Sequence, residues 1–482
     1  MPMKQVEAVV PENLRELGEY NKLVTLLPKN WQSLPEFDYA SISWRLLAAE
    51  LAGRADRLGE MRFALTPYLG NIGKAPFAIA ARVLLGCSEY HFQSKALHQA
   101  LKSASLAQTA AQASEDDFAQ AEAVHLEGKA LLALEKWDDA IDRFEQTIAL
   151  YSEQARPYRL GLAYLDLGAT LNRIGNAEEA HTTLERSIKL LSKSRDEISL
   201  ALARLTVAES LNIIGEPETA YQYLLFALET FSKTHSKYML QTLNDIAATL
   251  MLLKDFAEAE NYINRAIEWQ LTCATNQMAV TYEIRARLHI AKYQFDAAEK
   301  DLQKALEIAD LAHDYSHIAE MKRTFGRLRL AQKRYEEATL FFNQALDAAQ
   351  EYKETLLELE LKALLAQAIC EDNPVEAFKL VADVETALEG RCLVELKRVM
   401  QSARKRLNAL EQEHYFVLSD AKLPPLADAR DAMLKWMWAR SLYKARGSSR
   451  KAATILGVTP TYIRRLTKII PRDLLKSKKK TP

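Results

Sequence analysis

The side chains best suited to chemistry cluster in the stretch TPTYIRRLTK, residues 459–468. On a helix begun at Pro460, Thr461, Tyr462, Arg464, Arg465 and Lys468 remain outward once Ile463 and Leu466 turn inward. Hydroxyl, guanidinium and ammonium groups in that array contact phosphates and the base edges of a major groove. Patterns for catalysis do not occur: there is no GxGxxG, no GxSxG and no HExxH, and Gly73-Lys74 runs into Ala75-Pro76 where a phosphate loop needs Ser or Thr. His313 and His317 are spaced to share a helix face, but no third ligand lies near them in sequence. The expectation is a protein that binds and does not catalyse, with neither a metal nor a cofactor.

The elements that would position those side chains are short helices. Ser449 to Leu456 reads as a first helix, Gly457 as the turn, Thr459 as the cap of the second helix and Pro460 as its first residue, where a missing N–H costs nothing. Ala452 and Ala453 permit a close crossing, and Ile455, Leu456, Val458, Ile463 and Leu466 supply a minimal core. Ser449, Arg450, Lys451 and Thr459 complete the DNA-binding set. Ahead of it, residues 428–446 form a helix with two apolar stripes; Met433, Trp436, Met437 and Tyr443 make the one that needs another partner.

Charge is divided sharply. Residues 429–482 hold fifteen Lys and Arg against two Asp and Glu, a net of +13, so residues 1–428 carry −14. Two parts with two partners follow, split by a linker at 419–428 where Pro424-Pro425 stops a helix. Gly447, Ala452, Ala453, Leu456, Gly457, Val458, Ile463, Arg464, Arg465 and Leu466 together resemble the Fis-type helix-turn-helix of bacterial transcription regulators, with Ser448 in place of the family's usual Asn. That resemblance implies DNA binding at 429–470, followed by a basic tail at 471–482, and a homodimer formed through the preceding long helix. A terminal helical cap with solvated lysines, and tryptophans packed on the protein's own body, are the alternatives.

The bulk of the chain is periodic. Ala140, Ala180, Ala220, Ala259, Ala298, Ala338 and Ala377 recur at steps of 39 or 40, each followed four residues on by a large apolar group from Phe144 to Val381. Twelve residues before the alanine sits a small residue, at Gly128, Gly168, Ala208, Ala247, Ala286 and Gly326. The spacing predicts paired helices in which small faces small. The pattern resembles the tetratricopeptide repeat, lengthened by five or six residues, and implies an all-α, right-handed superhelical solenoid. Repeats cover 118–390, eroded pairs extend over 1–117 with second helices at Leu14–Pro28 and Ser94–Gln108, and a basic capping helix occupies 391–418.

In such arrays the first helix of each pair lines a groove. Carried across, the groove positions are His125, Lys129, Asn172, Arg173, Glu209, Asn212, Asn244, Glu283, Arg287, Arg323 and Arg327. Three asparagine amides in successive repeats suit an extended peptide backbone, and as exposed groups they would contribute little to folding. The arrangement resembles peptide-sensing tetratricopeptide regulators of Gram-positive bacteria, which differ in carrying the DNA-binding domain at the N-terminus. A merely solvated helix face is the alternative.

Composition agrees with this reading. The 482 residues include only 15 Gly and 14 Pro, which starves the chain of turns and disfavours an all-β fold. Cys87, Cys273, Cys370 and Cys392 form no CxxC pair and read as reduced thiols. The sequence MPMKQVEAVVPENL lacks an apolar core of secretory length, and no run suits a membrane span, so a cytoplasmic protein is expected. Two functions remain in view: a transcription regulator whose solenoid docks a protein or peptide, and an interaction scaffold whose basic tail binds nucleic acid or acidic partners without sequence choice.

Overall fold

A computed structural model describes residues 19–33, 39–69, 77–234, 236–272, 278–312, 315–351, 355–389 and 393–416, with positions 14, 441, 451, 453 and 454. Among these residues there is no strand. The chain divides into two compact units, 1–253 and 254–482. Unit 1 contains α1 (Tyr20–Leu26), α2 (Tyr39–Arg54), α3 (Leu58–Leu65), α4 (Phe77–Gln93), α5 (Leu97–Ala113), α6 (Asp117–Ala133), α7 (Trp137–Glu153), α8 (Pro157–Ile174), α9 (Ala177–Leu191), α10 (Glu197–Ile214), α11 (Pro217–Thr234) and α12 (Met239–Leu252). Unit 2 contains α13 (Phe256–Thr272), α14 (Met278–Ala291), α15 (Phe295–Ala312), α16 (Tyr315–Ala331), α17 (Tyr335–Glu351), α18 (Thr355–Ile369), α19 (Pro374–Ala387) and α20 (Val394–Phe416). Within each unit, consecutive helices pack as antiparallel neighbours of a solenoid, and α20 closes unit 2 against α18 and α19.

The recurring alanines are all fully buried, as are the large residues four positions later. The turn between the two helices of a pair has a fixed device. Five residues before each of the first six alanines, Ala140 to Ala338, the chain enters the left-handed region, at Glu135, Gly175, Gly215, Lys254, Tyr293 and Lys333. At five of these turns the next residue donates its N–H to the carbonyl five positions back, as in Lys136 to Leu131 at 3.0 Å and Arg334 to Arg329 at 2.8 Å. This closes the first helix with a Schellman-type bond and reverses the chain in three residues. Only two of the six positions are glycine, so the other four carry the strain of a side chain at positive φ.

The same device occurs earlier. Lys95 has positive φ, Ala96 donates to His91 at 2.8 Å, and Ala100 is fully buried. The pair α4 and α5 therefore keeps the register of the later repeats, with Ser88 in the small position donating to the Ala100 carbonyl at 2.9 Å. Asp56 and Met61 repeat the spacing in α2 and α3, with methionine where the alanine would stand.

The expectation that small faces small is corrected. A methyl group at Gly128 would meet the Phe144 ring at 2.7 Å, one at Gly168 would meet Leu184 at 2.4 Å, and one at Gly326 would meet Phe342 at 2.3 Å. The small residue of the first helix receives the large residue of the second, a knob in a hole. Gly326→Ala gains about 1 kcal/mol of helix propensity. It also overpacks a fully buried ring, which costs about 1–3 kcal/mol. The expected outcome is a lower urea midpoint, relieved by Phe342→Leu in the double variant, because Ala208 with Leu224 is a natural example of that combination.

Candidate ligand-binding face

Along unit 1 the first helices of successive pairs, α4, α6, α8, α10 and α12, lie in file and are joined by side chains. Lys129 on α6 pairs with Glu89 on α4 at 2.9 Å, and His125 on α6 meets Asp166 on α8 at 2.8 Å. Asn172 on α8 donates to the Thr206 carbonyl of α10 at 3.1 Å and accepts from Ser210 at 2.8 Å. Asn212 on α10 donates to Thr249 Oγ1 of α12 at 2.8 Å. The groove positions taken from the sequence thus form a ladder from helix to helix.

Two of the three amides are not the exposed groups the sequence suggested. Asn172 is 5% exposed and Asn244 is 4% exposed, so both are buried, and Asn172 uses its oxygen and nitrogen within the ladder. Asn172→Ala would strand polar groups on α10, so that amide contributes to folding. His125 is also buried, edge-on to Phe144 and Tyr151. Burial works against the Lys129 ammonium, but the charges of Glu89 and Asp166 outweigh it and raise its pKa.

What the ladder leaves unspent lies on α10 and α12. Asn212 Oδ1, Asn244 Oδ1 and Asp245 Oδ2 are buried and accept no hydrogen bond from the described residues. Asp245 was not singled out in the sequence, although it lies on α12 where Asp166 lies on α8, two residues before the small position. Burial raises the Asp245 carboxyl well above its ordinary range, and the Glu209 charge adds to that; Arg173 only partly offsets it. Burial likewise raises Glu209, against Arg173 and a hydrogen bond from Asn172. Two carboxyl groups share one guanidinium beside acceptors without donors. Such a face is chemically prepared for a ligand that donates hydrogen bonds or brings positive charge.

Unit 2 carries a second ladder that is more nearly satisfied. Glu360 on α18 accepts from Arg323 and Arg327 of α16, each at 3.0 Å, and Thr324 donates to Glu283 of α14 at 2.5 Å. Burial opposes the Glu360 charge, but Arg323, Arg327 and Arg287 hold its carboxyl below the usual range. Arg287 stands 3.9 Å from Glu283, which itself is buried.

The DNA-binding residues Ser449, Arg450, Thr459, Thr461, Tyr462, Arg464, Arg465 and Lys468 lie outside the described residues, as do Met433, Trp436, Met437, Tyr443 and the linker. Lys451 is helical and exposed, and Ala453 is helical and buried. His313 is also outside the description. Among the described residues no group of three His, Cys, Asp or Glu side chains could hold a metal ion, and no helix is long and apolar enough to cross a membrane.

A tetratricopeptide-repeat family model matches residues 120–193 and 277–351, and a second one matches 240–273. These segments are similar to tetratricopeptide repeats. The first match spans α6 to α9 and α14 to α17. Among solved structures, a Rap protein complexed with competence and sporulation factor shares the fold with a TM-score of 0.57 at 14% identity, over 73% of this chain and 99% of that one. The apo form of the quorum sensor NprR from B. thuringiensis shares it with a TM-score of 0.54 at 15% identity, over 72% of this chain and 96% of that one. No curated protein matches the sequence.

Proposed function

We propose that this tetratricopeptide-repeat protein is a DNA-binding transcription regulator whose unit 1 docks a peptide on the face of α10 and α12. The observation that carries the sensing half is the set of unspent acceptors, Asn212 Oδ1, Asn244 Oδ1 and Asp245 Oδ2, beside Glu209 and a single Arg173. An extended peptide supplies backbone N–H donors at regular spacing, and its amino terminus or a basic side chain supplies the missing charge. A fold shared with a quorum sensor supports a sensing role. The DNA half rests on the net +13 of residues 429–482 and on the helix-turn-helix layout around Gly457, with a homodimer through residues 428–446 placing two reading helices on one site.

A raised carboxyl that is retained at a cost in stability marks a site kept for binding. In the folded state Asp245 holds its proton to a higher pH than in the unfolded chain, so it destabilises the fold above its folded pKa and ceases to do so as pH falls into the ordinary carboxylate range. Asp245→Asn is therefore expected to stabilise the protein by about 0.5–2 kcal/mol near pH 7, with the gain fading towards pH 4. The same variant should bind peptides selected on the wild-type chain from a random displayed library at least tenfold more weakly. Unchanged peptide binding by Asp245→Asn would remove this face from the account.

A further inference from the structure

The N-terminal helices of unit 1 are tied to repeats more than a hundred residues away, along one rim of the same first helices. Arg54, the last residue of α2, places Nη2 at 2.5 Å from Asp196 Oδ2, and Asp196 is the N-cap of α10. Tyr158, in the first turn of α8, donates to the same oxygen at 2.6 Å, while Ser199 donates its N–H and its hydroxyl to Asp196 at 3.1 and 2.7 Å. The Arg54 guanidinium lies 3.6 Å above the Tyr20 ring of α1, and the Tyr158 and Tyr20 hydroxyls are 3.5 Å apart. Two outlying pairs extend the contact: Arg195 with Glu19 at 3.3 Å and Lys237 with Asp56 at 3.2 Å. Glu19, Tyr20, Arg54 and Asp56 thus touch the starts of α8, α10 and α12, three first helices in succession.

This node has features of a latch. It concentrates one carboxylate, one guanidinium and two phenols at a buried point, where Asp196 is 4% and Tyr158 is 1% exposed. The pair is buried on one side only, with the Asp196 side chain 3% and the Arg54 side chain 31% exposed, so on separation the guanidinium can turn to water while Asp196 keeps its bonds from Tyr158 and Ser199. Lys237–Asp56 is exposed on both sides and cheap to separate, whereas Arg195 reaches from solvent to a buried Glu19. Placement gives the contact its role. Tyr158 and Asn172 are two heptads apart on α8, hence on one stripe, about 21 Å along the helix. The latch therefore sits at one end of the stripe that carries Asn172 and Arg173 at the other.

We infer that the described residues 19–33 and 39–56 form a gate over the N-terminal rim of the α8, α10 and α12 face, held shut by the Arg54–Asp196–Tyr158 node and opened when that node separates. The gate rests on reading the face as a ligand surface, but its test needs no ligand. Leu162, one turn beyond Tyr158 and half-buried, is changed to cysteine in the full chain, and its rate of modification by a maleimide is measured. Native Cys87, buried among the N-terminal helices against Ala48, Ala49 and Met61, reports unfolding in the same experiment.

Asp196→Asn keeps a capping oxygen for α10 and removes the charge that holds Arg54. It is expected to raise the Leu162→Cys modification rate at least tenfold while Cys87 remains slow. Tyr158→Phe removes one hydrogen bond and should raise the rate by a smaller factor, which serves if Asp196→Asn does not fold. An unchanged rate at position 162 in both variants overturns the gate, and so does a rise at Cys87 equal to that at 162. Either result leaves peptide docking standing, because that reading is decided by Asp245→Asn.

Discussion

Asp196→Ala is expected to lower the stability of unit 1 by about 2–4 kcal/mol, from a lost helix cap and lost buried hydrogen bonds to a charged group. The residue fills three roles: it caps α10 through the Ser199 N–H, accepts the Tyr158 hydroxyl and neutralises Arg54. Truncation takes the carboxylate away from a guanidinium that lies over Tyr20 and is 31% exposed. Arg54→Met, which removes the charge and retains the packing stem, should restore part of the loss in the double variant, since the unpaired cation is then gone. Burial pushes the Asp196 carboxyl up, but Arg54, Tyr158 and Ser199 outweigh it and hold it below the usual range. A depressed folded pKa gives stability that is complete above the unfolded value near 4 and is lost as pH falls through the folded one. Unit 1 of the wild-type chain should therefore lose stability below about pH 4. The Asp196→Ala variant should show a flatter acid limb, read from urea midpoints followed by circular dichroism over that range.

The second large effect belongs to DNA binding. With Thr459 as cap and Pro460 as the first helical residue, Arg464 and Arg465 fall on the outward side of the second helix. Each alanine substitution is expected to weaken specific binding by about 1–3 kcal/mol where the guanidinium reaches a guanine edge. A residue on phosphate would instead weaken all sequences alike and reduce the salt slope by about one unit. The double variant is thus expected to lose between tens and thousands of fold in affinity for the best duplex, measured by fluorescence anisotropy at fixed salt. An unaltered affinity would mean that this helix does not read DNA.

The repeat was legible because its cause is local and recurs. Alanine, a large residue one turn on and a small residue twelve positions back are all demanded by one helix crossing, and Ala140 through Ala377 meet that demand at steps of 39 or 40. The pair α4 and α5 read only as an eroded copy because Ser88 and Ala104 stand where the later repeats show a smaller residue and a larger one. What remained visible there was Lys95, which occupies a left-handed turn as Glu135 and Lys333 do, but no residue type advertises positive φ as glycine would. The groove positions follow from the repeat, while their state of use does not. Whether Asn172 faces solvent or bonds to Thr206 depends on how closely α8 approaches α10, and that distance is set by side chains forty residues apart. The Arg54–Asp196 contact lay beyond sequence reasoning altogether, since it obeys no period and joins an irregular start to the tenth helix.

The account stands or falls on whether the full chain distinguishes one DNA sequence from another. The direct measurement is a titration, at about 0.15 M monovalent salt, of the full-length protein with a duplex selected from a random pool and with unselected duplex of the same length. A regulator that reads base edges should bind the selected duplex at least about a thousandfold more tightly, and adding a peptide captured by unit 1 should shift that affinity. Equal affinities for the two duplexes, falling together as salt is raised, would contradict it and leave a scaffold with a purely electrostatic tail.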